Sequence, residues 1–515
     1  MNTLLAFALT RRLAQKIRRS AVPFCDAGDP RCAWSRWFFV SGGRAEAPAN
    51  ARRKQPQAIG PTEYTEQTEN SASVYSVCSV GSRALTFGCG IQPRWALFSL
   101  ALAAVGLLPP VASAASPLLE KVDLFAEGHA GFVSYRIPGL VVTAKGTVLV
   151  FCEARKYSGL DWGEIELHQR RSTDGGRSFS PARQVAHLGP RLPRNPANSE
   201  QPPGKVIGEP GQQTVNNPVA IADRDGTVHF VYCVEYMRTF YVRSTDDALT
   251  WSHPVDVTAV ANRFRPEWPW RVIATGPCHG IQLRNGRLVV PVWLAKAEGG
   301  AHGQAVVATI FSDDRGATWE RGEIAVHNTA TTPGTSEATV AQLSDGRVML
   351  IARNHAPAHR KVVVFSRDGA TGWSRPEFAE ALPEPICQAS LFSYDDPAAP
   401  GKSRLLFSGP ESLERADGKA TPGARRDRQN LSVKLSHDDG RSWVATRTLE
   451  PGPSAYSDLA VLPDGTLLCF YENGRPGATR PNSTRTDWPY ARLTLARFNL
   501  AWLTAGKSSA VGTPP

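Results

Sequence analysis

Three arginines stand at the ends of strand-like segments that lie far apart in the chain. Arg136 opens the first such segment, Arg353 ends another, and Arg428 precedes a third. The planar guanidinium group pairs well with a carboxylate, so three of them brought together would hold an acidic substrate in one orientation. By residue type alone, however, most arginines in such positions are solvated surface residues.

Three other residues whose side chains can do chemistry, Asp161, Glu337 and Tyr456, are equally scattered. A carboxyl group can donate or accept a proton, and a tyrosine can act as a nucleophile if a neighbouring base takes its proton. No compact motif joins the three, and each alone is more often a surface residue. Their significance depends on the elements that would bring them together.

A recurring octamer, Ser-x-Asp-x-Gly-x-Thr/Ser-aromatic, indicates what those elements are. The second copy has Ala248 in place of the glycine, and the fourth keeps only its serine, Asp368 and the tryptophan. Several copies at a nearly constant period predict a repeat architecture. The copies begin 72, 68, 54 and 70 residues apart, at Ser172, Ser244, Ser312, Ser366 and Ser436.

Each octamer predicts a hairpin turn that is pinned by its aspartate and anchored by its aromatic residue in a small core. Aspartate side chains bond nearby backbone N–H groups, and glycine supplies a positive φ at no steric cost. Calcium binding by these aspartates is an alternative, although the copies are separate turns and do not form one ligand cluster.

Strand-like runs follow glycine turns throughout the second part of the chain, for example residues 147–152 after Gly146 and residues 347–352 after Gly346. These hairpins interleave with the octamers, so each repeat contains several strands. Four-stranded units of about 65 residues predict an all-β fold, a six-bladed β-propeller over residues 115–515. The long amphipathic crossover helices that a parallel α/β fold needs are missing from the sequence.

The first 114 residues differ from the rest. Residues 1–90 show no sustained periodicity, so they predict either a disordered extension or upstream sequence from a wrongly assigned start. Residues 91–114 combine a positive flank at Arg94, an apolar run and a small-residue site ending at Ala114, which is typical of a signal peptide. We therefore expect export to the periplasm or the medium.

Charge and cysteine content exclude two other classes. Residues 1–114 hold 13 Lys and Arg against 6 Asp and Glu, so most of the net charge of +11 lies outside the repeats and does not indicate a nucleic-acid surface. The nine cysteines form no Cys-x-x-Cys pair and no cluster with histidine, so we expect no zinc site. Buried free thiols are the simpler interpretation.

The segment Tyr135-Arg136-Ile137-Pro138, followed by the octamers, resembles the exo-α-sialidases (neuraminidases) with Asp-box repeats, in their bacterial and lysosomal-type branches. The resemblance extends from residue 132 to residue 502. It implies an arginine triad, an acid/base aspartate, a general base, a tyrosine nucleophile, a carboxylate that braces the first arginine, and two further pocket residues. In that order these are Arg136, Arg353 and Arg428; Asp161; Glu337; Tyr456; Glu472; Arg155 and Asn217.

The activity that the resemblance implies is hydrolysis of terminal sialic acids from glycoproteins, glycolipids and oligosaccharides. It would proceed with retention through a sialyl-tyrosine intermediate, since sialidases depart from the two-carboxylate scheme of most glycosidases. No metal or organic cofactor is expected, and neither is a nucleic-acid partner or a stable membrane span. We expect a monomer. Trp293 stands where some relatives have a pocket tyrosine, which leaves the contacts to the aglycone and the N-acyl group open.

Two other functions stay open. A trans-sialidase would use the same residues with a sugar in place of water as acceptor. A non-catalytic propeller would bind sialylated glycans or a protein partner, and the octamers alone do not exclude it. A binding module has no need for Asp161, Glu337 and Tyr456 beside the triad, so this set separates the two classes.

Overall fold

Antiparallel β-sheets make up nearly all the regular structure of the described residues. The computed structural model describes residues 116–198, 208–298, 300, 302–397, 399, 401–474 and 488–505. The predicted extension (1–90) and the predicted signal peptide (91–114) lie outside these residues. Within the described residues, no helix is long and apolar enough to cross a membrane.

The strands are short and mostly buried, as expected for segments that pack on both faces. In chain order they are β1 (Leu119–Ala126), β2 (Ser134–Val142), β3 (Val148–Arg155), β4 (Ile165–Ser172), β5 (Arg183–Gln184), β6 (Val215–Ala222), β7 (Val228–Val234), β8 (Arg238–Ser244), β9 (Val255–Asp256), β10 (Val272–Thr275), β11 (Cys278–His279), β12 (Ile281–Gln282), β13 (Leu288–Ala295), β14 (Ala305–Ser312), β15 (Glu320–Val326), β16 (Ala338–Gln342), β17 (Val348–Ala352), β18 (Arg360–Ser366), β19 (Glu377–Pro383), β20 (Ser390–Asp395), β21 (Ser403–Pro410), β22 (Gln429–Ser436), β23 (Ala445–Val461), β24 (Leu467–Asn473) and β25 (Arg492–Phe498). Two short α-helices, α1 (Thr258–Asn262) and α2 (Leu500–Thr504), and a 3₁₀ turn at Pro196–Asn198 complete the described elements.

Consecutive strands form the sheets, which gives a propeller-like arrangement. The strand orders are β2-β3-β4-β5, β11-β6-β7-β8-β9, β10-β13-β14-β15 with β12 beside β13, β16-β17-β18-β19, and β1-β25-β24-β23-β22-β21-β20. In the last sheet β1 pairs with β25, with Leu119 opposite Phe498, so the first described strand closes onto the last. The all-β, propeller-like part of the predicted fold is confirmed.

The octamers form the predicted hairpin turns. In the third copy, Ser312 Oγ donates to Asp314 Oδ1 at 2.8 Å and accepts from the Gly316 N–H at 2.8 Å. The backbone N–H and the hydroxyl of Thr318 both donate to the Asp314 carboxylate. In the second copy Ala248 takes the glycine position at φ 60°, a left-handed conformation that is uncommon for alanine. Each aspartate therefore holds its own turn.

Apolar side chains fill the spaces between neighbouring sheets. Phe151 of β3 lies against Phe230 of β7, with ring centroids 4.8 Å apart, and the octamer residue Trp251 packs against both. Trp319, from the third octamer, is buried in another such cluster. The five cysteines among the described residues are buried free thiols, as predicted: Cys152, Cys233, Cys278, Cys387 and Cys469.

One buried carboxylate ties several sheets together near their common centre. Asp458 of β23 accepts from the Leu140 N–H of β2 at 2.8 Å and from Ser390 Oγ of β20 at 2.9 Å, and it contacts His279 Nδ1 of β11 at 2.6 Å. Because these partners belong to three different sheets, Asp458 fixes the inner strands relative to one another, two residues away from Tyr456.

Candidate active site

Three inner strands carry a β-bulge at the same end of the molecule. A bulge re-aims side chains and is frequent beside active sites. Each strand has one more residue than its partner, between Arg136 and Gly139 in β2, between Asn216 and Val219 in β6, and between Ser454 and Ser457 in β23. Of the predicted site residues, Asn217 and Tyr456 lie in these bulges, and Arg136 borders the first.

Glu472 of β24 binds both the first arginine and the backbone of the bulges. Its Oε1 accepts from Arg136 Nε at 2.6 Å and from the Ile137 N–H at 3.0 Å, and its Oε2 accepts from the Tyr456 N–H at 3.1 Å. Arg136 Nη2 also donates to Oε2 at 3.4 Å, and since Glu472 is fully buried, these donors compensate its charge. This contact fits the bracing role that the resemblance implies.

Tyr456, Glu337 and Arg353 form one hydrogen-bonded cluster. The Tyr456 hydroxyl lies 2.6 and 2.7 Å from the two carboxylate oxygens of Glu337, to which it donates. Arg353 Nη1 donates to Glu337 Oε2 at 2.7 Å and to Tyr456 Oη at 2.9 Å. Glu337 directly precedes β16 and Arg353 directly follows its partner β17, so one strand pair positions both groups.

The cluster separates the pKa values of its two acids. Burial, followed by the charge of Glu337, raises the pKa of Tyr456 well above its ordinary value. Burial acts to raise the pKa of Glu337 as well, but the Arg353 charge and the Tyr456 hydrogen bond outweigh it and lower the pKa. At neutral pH the proton therefore resides on Tyr456, and Glu337 is an ionised base in contact with it.

Arg428 is the third arginine beside Tyr456. Its Nη1 donates to Tyr490 Oη at 2.9 Å and its Nη2 to the Ile386 carbonyl at 2.5 Å. The guanidinium carbons of Arg136 and Arg428 lie 5.3 and 5.1 Å from the centroid of the Tyr456 ring. The three arginines therefore converge on one tyrosine.

Two of these arginines each have a buried N–H donor that no described residue accepts. In the described part of the chain, the Nε atoms of Arg353 and Arg428 are buried and have no hydrogen-bond partner. A buried donor without a partner is costly. A bound carboxylate is the group that such guanidinium donors bind best.

Asp161 lies at the mouth of the site, on the segment between β3 and β4. Its side chain is 51% exposed, and its Oδ1 is 2.9 Å from Arg155 Nη1. Desolvation acts to raise its pKa, but the charges of Arg155, His302 and Arg136 outweigh this and lower the pKa below its ordinary value. Asp161 is therefore ionised at neutral pH.

Arg155 and Asn217 are joined by a carboxylate that the sequence analysis did not single out. Glu153 Oε2 pairs with Arg155 Nη2 at 2.7 Å, and Glu153 Oε1 accepts from the Asn217 N–H at 2.9 Å. Glu153 is fully buried. The sequence signal was its place in the segment Glu153-Ala154-Arg155, but nothing local indicated that it would bind the backbone of β6.

An aromatic group lies behind Asp161. The Trp162 and Tyr236 rings are 4.6 Å apart, and the Trp293 ring lies 6.1 Å from Tyr236 and 5.1 Å from the His302 ring. Trp293 is buried here, with its indole N–H unpartnered in the described residues.

A cavity of about 370 Å³ gathers Arg136, Asp161, Arg353, Arg428 and Tyr456. The remaining predicted site residues, Glu337, Glu472, Arg155 and Asn217, are not on its lining. The first three contact lining residues, and Asn217 contacts Glu153. Sequence reasoning missed Tyr490 and Trp488, which do line it. Tyr490 stacks on Arg136, with 3.8 Å between the guanidinium carbon and the ring centroid.

The described residues contain no group of three or more His, Cys, Asp or Glu side chains placed to hold a metal ion. The site contains cationic guanidinium groups and a phenolic hydroxyl. It can bind a carboxylate, supply a base-assisted tyrosine hydroxyl, and exchange a proton at Asp161.

Comparison with known proteins places the chain in a family. A family model described as a BNR repeat-like domain matches residues 197–469, a little more than half of the chain, and the chain belongs to that family. The sialidase of Micromonospora viridifaciens is 32% identical over 424 residues, which cover 76% of this chain and 56% of that protein. The chain thus spans just over half the length of this relative.

Solved structures agree with the fold. A Hadza microbial sialidase superposes with a TM-score of 0.54 and 25% identity, over 72% of this chain and 66% of that one. The intramolecular trans-sialidase from Ruminococcus gnavus superposes with a TM-score of 0.55 over 74% of this chain and 97% of that one, and its 19% identity shows the fold alone. Together with the sequence match, these results confirm the predicted resemblance to exo-α-sialidases with Asp-box repeats.

Proposed function

We propose that this protein is an exo-α-sialidase that hydrolyses terminal sialic acids from glycoproteins, glycolipids and oligosaccharides. The observation that carries the proposal is the cluster of Tyr456 and Glu337 at 2.6 Å, surrounded by three arginines. Sialic acid bears a carboxylate on its anomeric carbon. The triad would bind that carboxylate and place the anomeric carbon over the tyrosine.

In the first step Tyr456 Oη attacks the anomeric carbon while its proton passes to Glu337. The glycosidic C–O bond breaks, and the leaving oxygen takes a proton from Asp161. A neutral hydroxyl suits this role, because a carboxylate nucleophile would be repelled by the substrate's own carboxylate. The raised pKa of Tyr456 keeps it neutral until the bond forms.

In the second step a water molecule attacks the same carbon. Asp161, now ionised, takes a proton from the water, and the departing Tyr456 oxygen takes its proton back from Glu337. Two displacements at one carbon give net retention of configuration. Neither step requires a metal or an organic cofactor.

Asp161 must be protonated to act as an acid, and the charges of Arg155, His302 and Arg136 lower its pKa. The substrate carboxylate supplies the change that is needed. Its negative charge would offset that of the surrounding arginines and raise the pKa of Asp161 when substrate binds. Contact of Asp161 with the leaving oxygen would also replace part of its contact with Arg155.

We also infer that the propeller has six blades. The last residues of six inner strands, from β2, β6, β12, β16, β20 and β23, line one cavity of about 290 Å³ at the end opposite the bulges: Val142, Ala222, Gln282, Gln342, Asp395 and Val461. The seven-stranded sheet supplies two of these strands, because the first part of β23 pairs with β22 and the second part with β24. Six strands around one axis correspond to six blades.

The test is release of free sialic acid from 3′-sialyllactose by the whole chain and by Tyr456→Phe. We expect release by the wild type and a loss of roughly three orders of magnitude or more in the variant, which should still bind sialic acid. Tyr394→Phe is a matched control, because within the described residues its hydroxyl makes no hydrogen bond. Binding without release by the wild type would support the glycan-binding alternative, and sialic acid moved to a sugar acceptor would support the trans-sialidase.

A further inference from the structure

A long connection between β21 and β22, residues 411–428, adds positive charge to the cavity beyond the triad. Arg415, Arg425 and Arg426 from this connection all line the cavity, beside Asp427. None of them has a part in the proposed chemistry. The three arginines differ in what they bind.

Two of these arginines hold the connection in shape. Arg426 is buried, and its Nη1 donates to the carbonyls of Thr421 and Ala424, both at 2.9 Å. Its own N–H donates to the Pro385 carbonyl. The guanidinium group of Arg426 therefore binds backbone carbonyls of its own loop.

Arg415 is equally engaged. Its Nε and Nη2 bind the two carboxylate oxygens of Asp417 at 2.9 and 2.5 Å, and its Nη1 donates to the Arg425 carbonyl at 2.9 Å. Asp427 is also used by the loop, since its Oδ2 accepts from the Ala416 N–H at 2.6 Å. These hydrogen bonds hold together the segment that carries Arg425.

Arg425 itself makes no ion pair within the described residues. Its Nη2 donates to Tyr490 Oη at 3.3 Å, and the same oxygen accepts from Arg428 Nη1 at 2.9 Å. One hydroxyl thus connects Arg425 to the triad. The charge of Arg428, followed by burial, lowers the pKa of Arg425. A cation beside a second cation is destabilised until an anion binds between or beside them.

The position of Arg425 indicates which part of a substrate would meet it. Asp161 lies on the lining with Gly159 and Leu160, and the leaving oxygen must reach Asp161. The triad would hold the sialic acid carboxylate, so the aglycone would lie along the rest of the lining, which includes Trp488 and the exposed Arg425.

We propose that Arg425 forms a second anion-binding position, which recognises an acidic group on the aglycone. The acidic group would be the carboxylate of a second sialic acid or a sulfate ester on the adjoining sugar. Both groups present pairs of oxygen atoms that a guanidinium group can bind through paired N–H donors. This inference rests on the proposed sialidase function and specifies its substrate class.

The experiment compares kcat/KM for three sialosides. One has a neutral aglycone (3′-sialyllactose), one has an internal sialic acid (α2,8-disialyllactose), and one has a 6-sulfated N-acetylglucosamine in the aglycone. We expect Arg425→Gln to lower the ratio of acidic to neutral kcat/KM about tenfold, with Arg425→Lys keeping part of the ratio. Arg367→Gln makes the same charge change at an exposed turn outside the cavity and should leave the ratio unchanged.

The two acidic substrates identify the source of the anion. If Arg425→Gln lowers the ratio of acidic to neutral kcat/KM for disialyllactose alone, the position binds a second sialic acid. If the ratio falls for the sulfated sugar alone, the position binds a sulfate. The wild-type preference should also shrink in high salt, because a charge at the mouth is screened. This second measurement does not depend on any variant folding.

Two results would overturn the inference. The first is equal kcat/KM on neutral and acidic substrates by the wild type at low salt, and the second is an Arg425→Gln ratio identical to that of the wild type. Failure to hydrolyse any of the three sialosides would instead refute the proposed function, so the two failures are distinguishable.

Discussion

Tyr456 lies in contact with both carboxylate oxygens of Glu337, at 2.6 and 2.7 Å, and Arg353 Nη1 contacts both residues. The base is thus in place before substrate arrives. The lowered pKa of Glu337 and the raised pKa of Tyr456 keep the shared proton on the tyrosine. The proton moves only when the new bond forms.

This relationship predicts the acid side of the pH profile. Glu337 must be ionised to accept the proton, and its pKa is lowered, so the acid limb of kcat/KM from this group should lie below the ordinary glutamate value of about 4.3. Arg353→Met removes the charge that outweighs burial, so the limb should move to higher pH. Arg353→Lys keeps a charge and should keep the limb low. If the acid limb of kcat/KM lay at the same pH in Arg353→Met and Arg353→Lys, the charge of Arg353 would not be what lowers the pKa of Glu337.

Asp161 should matter in proportion to how poor the leaving group is. An aryl alcohol departs with little protonation, whereas a sugar alcohol needs an acid. We therefore expect Asp161→Asn to lower kcat for sialyllactose by roughly a hundredfold or more, and for 4-methylumbelliferyl sialoside far less. Each substrate serves as the control for the other. Equal losses on both substrates would show that Asp161 acts in binding instead.

The buried ion pair of Lys361 and Glu384 should position Arg428. Lys361 Nζ is 2.8 Å from Glu384 Oε2, and Glu384 Oε1 accepts from the Cys387 N–H at 2.8 Å. The pair shapes the segment whose Ile386 carbonyl binds Arg428, at a φ of 65° that is rare for a β-branched residue. Glu384→Gln should therefore raise KM for sialosides about tenfold and change kcat less.

Loss of stability alone does not explain such a change in KM. Removing one partner of a buried pair destabilises by about 3–5 kcal/mol. Asp396→Asn breaks the Arg404–Asp396 pair and should destabilise without raising KM. Equal KM values for the Glu384 and Asp396 variants would show that Glu384 does not position Arg428.

The octamer aspartates should contribute stability without touching activity. Asp314→Ala deletes the bonds to Ser312 and Thr318, and because this carboxylate is exposed we expect a loss of about 1 kcal/mol in the free energy of unfolding. The pKa of Asp314 is lowered, so its contribution is present above the ordinary aspartate value of about 3.9 and is lost as pH falls through the lowered value. Glu320→Ala, at an exposed position just after the octamer, is the control. If Asp314→Ala still lowered the free energy of unfolding by the same amount at acid pH, the predicted contribution of the ionised carboxylate would be contradicted.

Local sequence carried much of the fold. The octamer turns depend on bonds within eight residues, so the pattern specified them even where Ala248 replaces the glycine and where the fourth copy keeps only Ser366, Asp368 and Trp373. Pro138 and Pro218, inside strands, were local signs of the bulges, because proline is tolerated there. The pairing of β1 with β25 joins segments more than 360 residues apart and had no local signal.

The candidate site was predicted through the family pattern, and residue type alone did not reveal it. The missed residues act through distant contacts: Glu153 binds the backbone of Asn217, and Tyr490 contacts Arg136 and Arg428. The hydrogen bonds that hold together the segment of Arg425 depend on the folded shape of an irregular connection, for which periodicity gives no information.

The most direct test of the central claim is to trap the intermediate. A 2,3-difluorosialic acid should form a stable bond to the nucleophile, because the fluorine beside the anomeric carbon slows the second step. Peptide mass spectrometry of the inactivated protein should then find the added sugar on Tyr456, and the Tyr456→Phe variant should carry none. An adduct on another residue, or continued turnover without any adduct, would contradict Tyr456 as the nucleophile.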